Sequence, residues 1–99
     1  MKFIFFIFLI LLTSGCVTSL SLPARNIVDA DLHMVENCKY IGSFVGTSGT
    51  GNLAQAIGIT NAKNEVREKA ALNGATHVMW TEVIGGYSPY VNGRAYICN

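Results

Sequence analysis

The chain has 99 residues, 51% hydrophobic and 13% charged, with seven Lys and Arg against six Asp and Glu for a net charge of +1. That length builds one small domain. A balance this close to neutral supplies no basic field to gather phosphates, which argues against nucleic acid as a partner.

In chain order, the first element is Phe3 to Leu12, FIFFIFLILL, an apolar run behind a single positive charge at Lys2. A basic start, about ten apolar residues and then small residues form the layout of a secretory signal peptide. A helix that crosses a membrane needs about 20 apolar residues. Because no further charge appears until Arg25, an uncleaved anchor helix reaching Leu22 is the competing reading. The next stretch, Thr13-Ser14-Gly15-Cys16, resembles the bacterial lipobox, in which a small residue precedes the cysteine that becomes the lipid-modified first residue. Thr13 stands where that motif usually has Leu. The resemblance implies a lipoprotein signal peptide over residues 1–15 and a diacylglyceryl group on the Cys16 sulfur, with a third, palmitate-like chain on the new amino terminus in many species. An ordinary signal peptide with Cys16 near its cut is the alternative. Each buried methylene contributes about 0.8 kcal/mol, so two or more chains anchor a protein durably to the membrane. Val17 follows the cysteine where an aspartate would mark inner-membrane retention. The implied location is the bacterial cell envelope, as an outer-membrane lipoprotein facing the periplasm.

Residues 16–25, short and interrupted by Pro23, are expected to be the lipidated tether, and residues 26–99 the domain. Nine extended residues reach at most about 30 Å, which keeps the domain near its membrane. The segment NIVDADLHMVEN predicts a short strand at Ile27 and Val28 and then a turn or a single helical turn. CKYIGSFVG alternates, with Cys38, Tyr40, Gly42 and Phe44 on one side and Lys39, Ile41, Ser43 and Val45 on the other, which predicts a strand. GTSGTGN, residues 46–52, is expected to be a loop. It lacks the lysine and hydroxyl that a phosphate-binding P-loop requires.

NAKNEVREKAALNGA predicts the main helix, capped by Thr60 or Asn61 and closed by Gly74. At 100° per residue Ile59, Ala62, Val66 and Ala70 share an inward stripe, while Asn64, Arg67, Glu68 and Ala71 are expected to face away. Glu65 and Lys69 are spaced as an i,i+4 ion pair. THVMWTEVI predicts a strand with Val78 and Trp80 turned to the helix. The loop GGYSPYVNG and a closing strand GRAYICN follow, and sequential strands joined by turn residues predict an antiparallel hairpin.

Once residues 1–15 are removed, Cys38 and Cys98 are the two cysteines besides Cys16. Export to an oxidising compartment makes them a natural disulfide. A redox-active pair usually has C-x-x-C spacing, and a metal site needs three or four clustered ligands; His33 and His77 add no such spacing. The fold class read from these elements is α+β, a small antiparallel or mixed sheet on one main helix with a single disulfide.

C-K-Y-I-G at residues 38–42, N-A-x-x-x-x-R-x-K-A-A-x-x-G-A at 61–75 and G-R-A-Y-I-C at 93–98 resemble a family of small bacterial lipoproteins of unassigned function. That family is distantly similar to the RcsF envelope-stress lipoprotein. The resemblance implies acylation at Cys16, a structural pair at Cys38 and Cys98, and a non-enzymatic role in structural support or stress sensing through an envelope protein partner. Tyr87 and Tyr90 are the candidate contact residues, because tyrosines favour interfaces; their alternative role is to cover the sheet edge. Two other function classes are weighed. One is a small-ligand-binding periplasmic module with a pocket between the helix and the Trp80 strand, although a domain this small has little volume to spare. The other is an enzyme using His77 with Glu82, or His33 with Asp31, but no activated serine or free thiol accompanies them. Neither a metal nor a cofactor is expected.

Overall fold

The structure, a computed structural model, describes residues 20–47 and 55–99; the expected signal peptide, Cys16 and most of the 46–52 loop lie outside the described residues. In chain order the elements are α1 (Leu22–Arg25), β1 (Val28–Asp29), α2 (Leu32–Val35), β2 (Lys39–Thr47), α3 (Gln55–Leu72), β3 (His77–Ile84) and β4 (Tyr90–Ile97). The four strands form one sheet in the order β1-β3-β4-β2. β4 is antiparallel to both β2 and β3, whereas β1 pairs with β3 in parallel, so the sheet is mixed. The connection from β2 through α3 to β3 is thus a crossover between parallel strands, with β4 inserted between them. The hairpin of β3 and β4 and the α+β class agree with the sequence reading.

The long helix is where that reading falls short. It begins at Gln55, several residues before Thr60 and Asn61. Its first turns contain Gly58 and the β-branched Ile57, Ile59 and Thr60, all weak helix formers. Packing overrides their propensity, since Gly58 is buried and Ile59 half-buried. Its far end is as expected. Gly74 has φ +82°, its N–H donates to the Ala71 carbonyl at 3.0 Å, and the Ala75 N–H donates to the Ala70 carbonyl at 3.0 Å. These two bonds are a Schellman cap. Asn64, expected to face away, is buried, and its Oδ1 accepts from Arg67 Nη1 at 3.2 Å.

Ala62, Val66 and Ala70 press onto Val78, Val91 and Ala95, with Ile27 beside them and Ile41, Phe44 and Trp80 at the margin. The largest fully buried side chains among the described residues are Val35, Val66, Val78 and Val91. Small side chains let the helix lie close to the sheet, and Gly46 and Gly93 form bare floor beneath it.

A strict two-residue alternation would set Ile41 and Phe44 on opposite faces of β2, yet both pack on the core. The register slips between Tyr40 and Gly42, making Ile41 an extra residue in the strand. A bulge of this kind re-aims the side chains that follow it. A second slip between Trp80 and Glu82 places an extra residue at Thr81.

The expected tether also needs correction where it is described. Ser21 caps α1, its side chain accepting from the Ala24 N–H, and Pro23 sits in the first turn, where its missing N–H costs nothing. The Ser21 N–H and hydroxyl donate to the two carboxylate oxygens of Glu68 at 2.7 and 2.9 Å. Ala24 is fully buried. Residues 21–25 therefore fold onto α3, and the domain starts before residue 26.

Candidate interaction surface

Val91, Gly93 and Ala95 face α3, so Tyr90, Asn92, Arg94 and Tyr96 turn to the other side of the sheet, because side chains alternate along a strand. Cross-strand partners share a face. Tyr40, Ser43 and Val45 of β2 therefore join them on one side, with Met79 and Ile84 of β3 on the other. The long helix covers only the opposite face. On this one Tyr96 is buried and Met79 and Asn92 are half-buried, whereas Tyr40, Val45 and Ile84 remain 47%, 37% and 51% exposed.

The centre of this open face is built around one aromatic ring. Tyr40 and Tyr96 have ring centroids 5.5 Å apart at an interplanar angle of 59°, an edge-tilted pairing that the ring quadrupoles favour. The Arg94 guanidinium carbon lies 4.6 Å from the Tyr40 centroid on its ring face. Tyr40 Oη and Ser43 Oγ are hydrogen-bonded at 3.0 Å. Arg94 takes part in none of the salt bridges among the described residues. The arrangement is an exposed cation stacked on one ring of an aromatic pair.

The disulfide sets the end of this face. Cys38 and Cys98 are bonded, with Cα atoms 4.7 Å apart, immediately outside the terminal β2–β4 pair Lys39 and Ile97. Thr76 braces the same end: its Oγ1 accepts the Cys98 N–H at 2.8 Å, and its carbonyl accepts the Val28 N–H at 3.0 Å.

A second polar cluster lies on the helix side of the sheet. Asp29 accepts from Arg67 Nη2 at 3.0 and 3.2 Å and from Trp80 Nε1 at 3.0 Å. Lys63 Nζ and the Arg67 guanidinium lie 5.4 and 5.2 Å from the Trp80 ring centroid. Burial pushes the Asp29 carboxyl up, but hydrogen bonds from Trp80 and Arg67 and the charges of Arg67 and Lys63 outweigh it and hold the group below its ordinary range. The cluster clamps the two-residue β1 to α3 and β3. A depressed carboxylate stabilises the fold above its unfolded pKa, and that contribution disappears as pH falls through the folded value. Urea midpoints measured downward from pH 6 should therefore fall below about pH 4. Asp29→Asn should fall less steeply there and be the less stable protein at pH 6. Parallel curves for the two proteins would remove Asp29 from the acid response.

The candidate residues fall as follows. Tyr90 is half-buried, paired with Thr47 and Ile84 on the open face, whereas Tyr87 is 72% exposed in the loop between β3 and β4. His77 and Glu82 sit toward opposite ends of β3, about 16 Å apart at strand rise, and His77 Nδ1 is engaged with Thr76 Oγ1 at 2.8 Å. Asp31 spends its carboxylate on the Met34 N–H at 3.0 Å, capping α2, while His33 lies 3.7 Å from Glu36. Neither histidine is brought into a pair with its sequence-suggested carboxylate. Among the described residues no three His, Cys, Asp or Glu side chains gather as a metal site, and no helix is long and apolar enough to cross a membrane. Tyr40 and Arg94 were not singled out from sequence, because nothing in the linear order shows that the ring and the guanidinium stack. No family model, curated protein or solved structure matches the chain.

Proposed function

We propose that this protein is a membrane-anchored lipoprotein of the bacterial envelope, outer-membrane and periplasm-facing. In this reading it is non-enzymatic and binds another envelope component, in structural support or stress sensing, through the open face of its sheet. The observation that carries the binding reading is that α3 leaves the outer parts of that face uncovered, with Tyr40, Arg94, Val45 and Ile84 exposed around the buried Tyr96. Tyrosine and arginine are enriched where proteins meet, and rigid aromatic anchors lose little entropy on binding. The anchor reading is supported by the lipobox-like run ending at Cys16 and by the exported-type disulfide.

Two measurements test it. Mass spectrometry of the mature protein from its native membrane should find acylated Cys16 as the first residue; an unmodified chain beginning at Met1 overturns the anchor. A photo-crosslinker at Ser43, beside the stacked pair, should capture one envelope protein in intact cells. Arg94→Glu should cut that adduct about tenfold or more, as loss of a central contact does. It should cost about 1 kcal/mol or less of stability, since only an exposed cation–aromatic contact is lost. An adduct that survives the charge reversal counts against this face.

A further inference from the structure

We infer that α1 and the adjoining end of α3 form a lipid-docking surface, through which Leu22 and Leu72 seat the domain on the bilayer and aim the open sheet face at the aqueous compartment. The inference rests on the anchor proposed above. Five peptide steps separate Cys16 from Ser21, a reach of at most about 18 Å. Ser21 is not free to wander, because its N–H and hydroxyl are both held by Glu68 on α3. A lipid on Cys16 therefore brings this particular flank of the domain to the membrane.

What the flank offers suits a lipid surface. Leu72 is 86% exposed and Leu22 70% exposed. Leu72 follows Glu68 by one helical turn, so it lies on the same stripe, and Leu22 directly follows Ser21. At 100° per residue that stripe is opposite the one made by Ala62, Val66 and Ala70. It therefore points away from the sheet. Arg25, exposed in the last turn of α1, adds a cation for anionic headgroups. Two leucines and one arginine would bind a bilayer only weakly on their own. A tether this short raises their effective concentration at the surface, so a weak contact stays made.

The test uses the full lipidated protein, purified from its membrane and reconstituted in vesicles of phosphatidylethanolamine and phosphatidylglycerol with bromine-labelled chains. Mass spectrometry of the same sample first establishes whether Cys16 is acylated. A fluorophore is placed through Asn73→Cys, beside Leu72, or through Ser43→Cys, on the open face. Quenching by the brominated chains should be about threefold or more stronger at the first position, as expected for apolar residues seated in the interface. Leu22→Ser with Leu72→Ser should erase the difference while the protein stays vesicle-bound. Equal quenching at both positions in an acylated sample overturns the docking surface and leaves the anchor standing. A sample without acyl chains overturns the anchor and the docking inference with it.

Discussion

Replacing Cys38 and Cys98 together with serine is expected to remove about 4 kcal/mol of stability, enough to leave much of the protein unfolded at 37 °C. The bond joins residues 60 apart in sequence, and in the chain-entropy model a cross-link that long removes much of the unfolded chain's freedom. The rest of the fold has little to set against the loss. Its fully buried side chains are no larger than valine among the described residues, and domains of this size approach the lower end of the stability range, about 5 kcal/mol. The bond also holds together the ends of β2 and β4 beside the Ile41 bulge, where the ladder is irregular. Urea unfolding followed by circular dichroism should give the same reduced midpoint for the double variant and for the wild type in reductant. A midpoint shift equivalent to only about 1 kcal/mol would show that packing, not the cross-link, dominates.

The parts of this fold that could be read from the linear order are those with a local cause. Gly74 could be placed because a left-handed residue just past a helix end favours glycine, and Val78 and Trp80 because alternation with aromatic and β-branched residues is a strand signal. The disulfide followed once Cys16 was set aside by its lipobox-like setting, which leaves Cys38 and Cys98 as the one pair. What could not be read has a non-local cause. The first turns of α3 are poor helix by propensity and are helical because Gly58 and Ile59 pack. Asn64 looks like a surface residue until Arg67, drawn toward Asp29 and Trp80, leans across it. The candidate face was only half visible. Tyr90, singled out by its residue type, lies on that face, but Tyr40 meets Arg94 across the strands through a register that a bulge has shifted.

The same bulge explains how one sheet carries a packed face and an open one with so few large residues. By admitting Ile41 as an extra residue, β2 sends both Ile41 and Phe44 to the core margin and keeps Tyr40, Ser43 and Val45 on the outside. The free edge of this strand is closed from the helix. Lys69 Nζ donates to the Val45 carbonyl at 2.8 Å, and the Thr47 N–H donates to Glu65 Oε2 at 3.1 Å. These two side chains also pair with each other at 3.0 Å. Charged groups laid along an edge oppose the pairing of further strands there, which is why the proposed partner is assigned to the face and not to this part of the edge.

Gly46, between those two edge contacts, is the position where a single methyl should do the most harm. It pairs with Val91 and faces α3. A Cβ built on it would overlap the Ala62 carbonyl oxygen and lie 2.8 Å from the carbonyl carbon and 3.1 Å from Val66 Cγ2. The first two are helix backbone and cannot rotate aside, so Gly46→Ala must lift α3 from the sheet. Lifting it lengthens the Lys69 and Glu65 bonds to β2 and opens the Val66 contacts together, at a cost of about 3 kcal/mol or more. Gly74→Ala is the informative comparison. Its φ of +82° disfavours any L side chain, but a Cβ there would meet only Ile97 Cδ1 at 4.0 Å, so the cost is the backbone term alone, about 1–2 kcal/mol. Urea midpoints for the two variants should rank Gly46→Ala well below Gly74→Ala, with the gap set by the distance between helix and sheet. The opposite ranking would mean that α3 does not lie as close to β2 as the small-residue core requires.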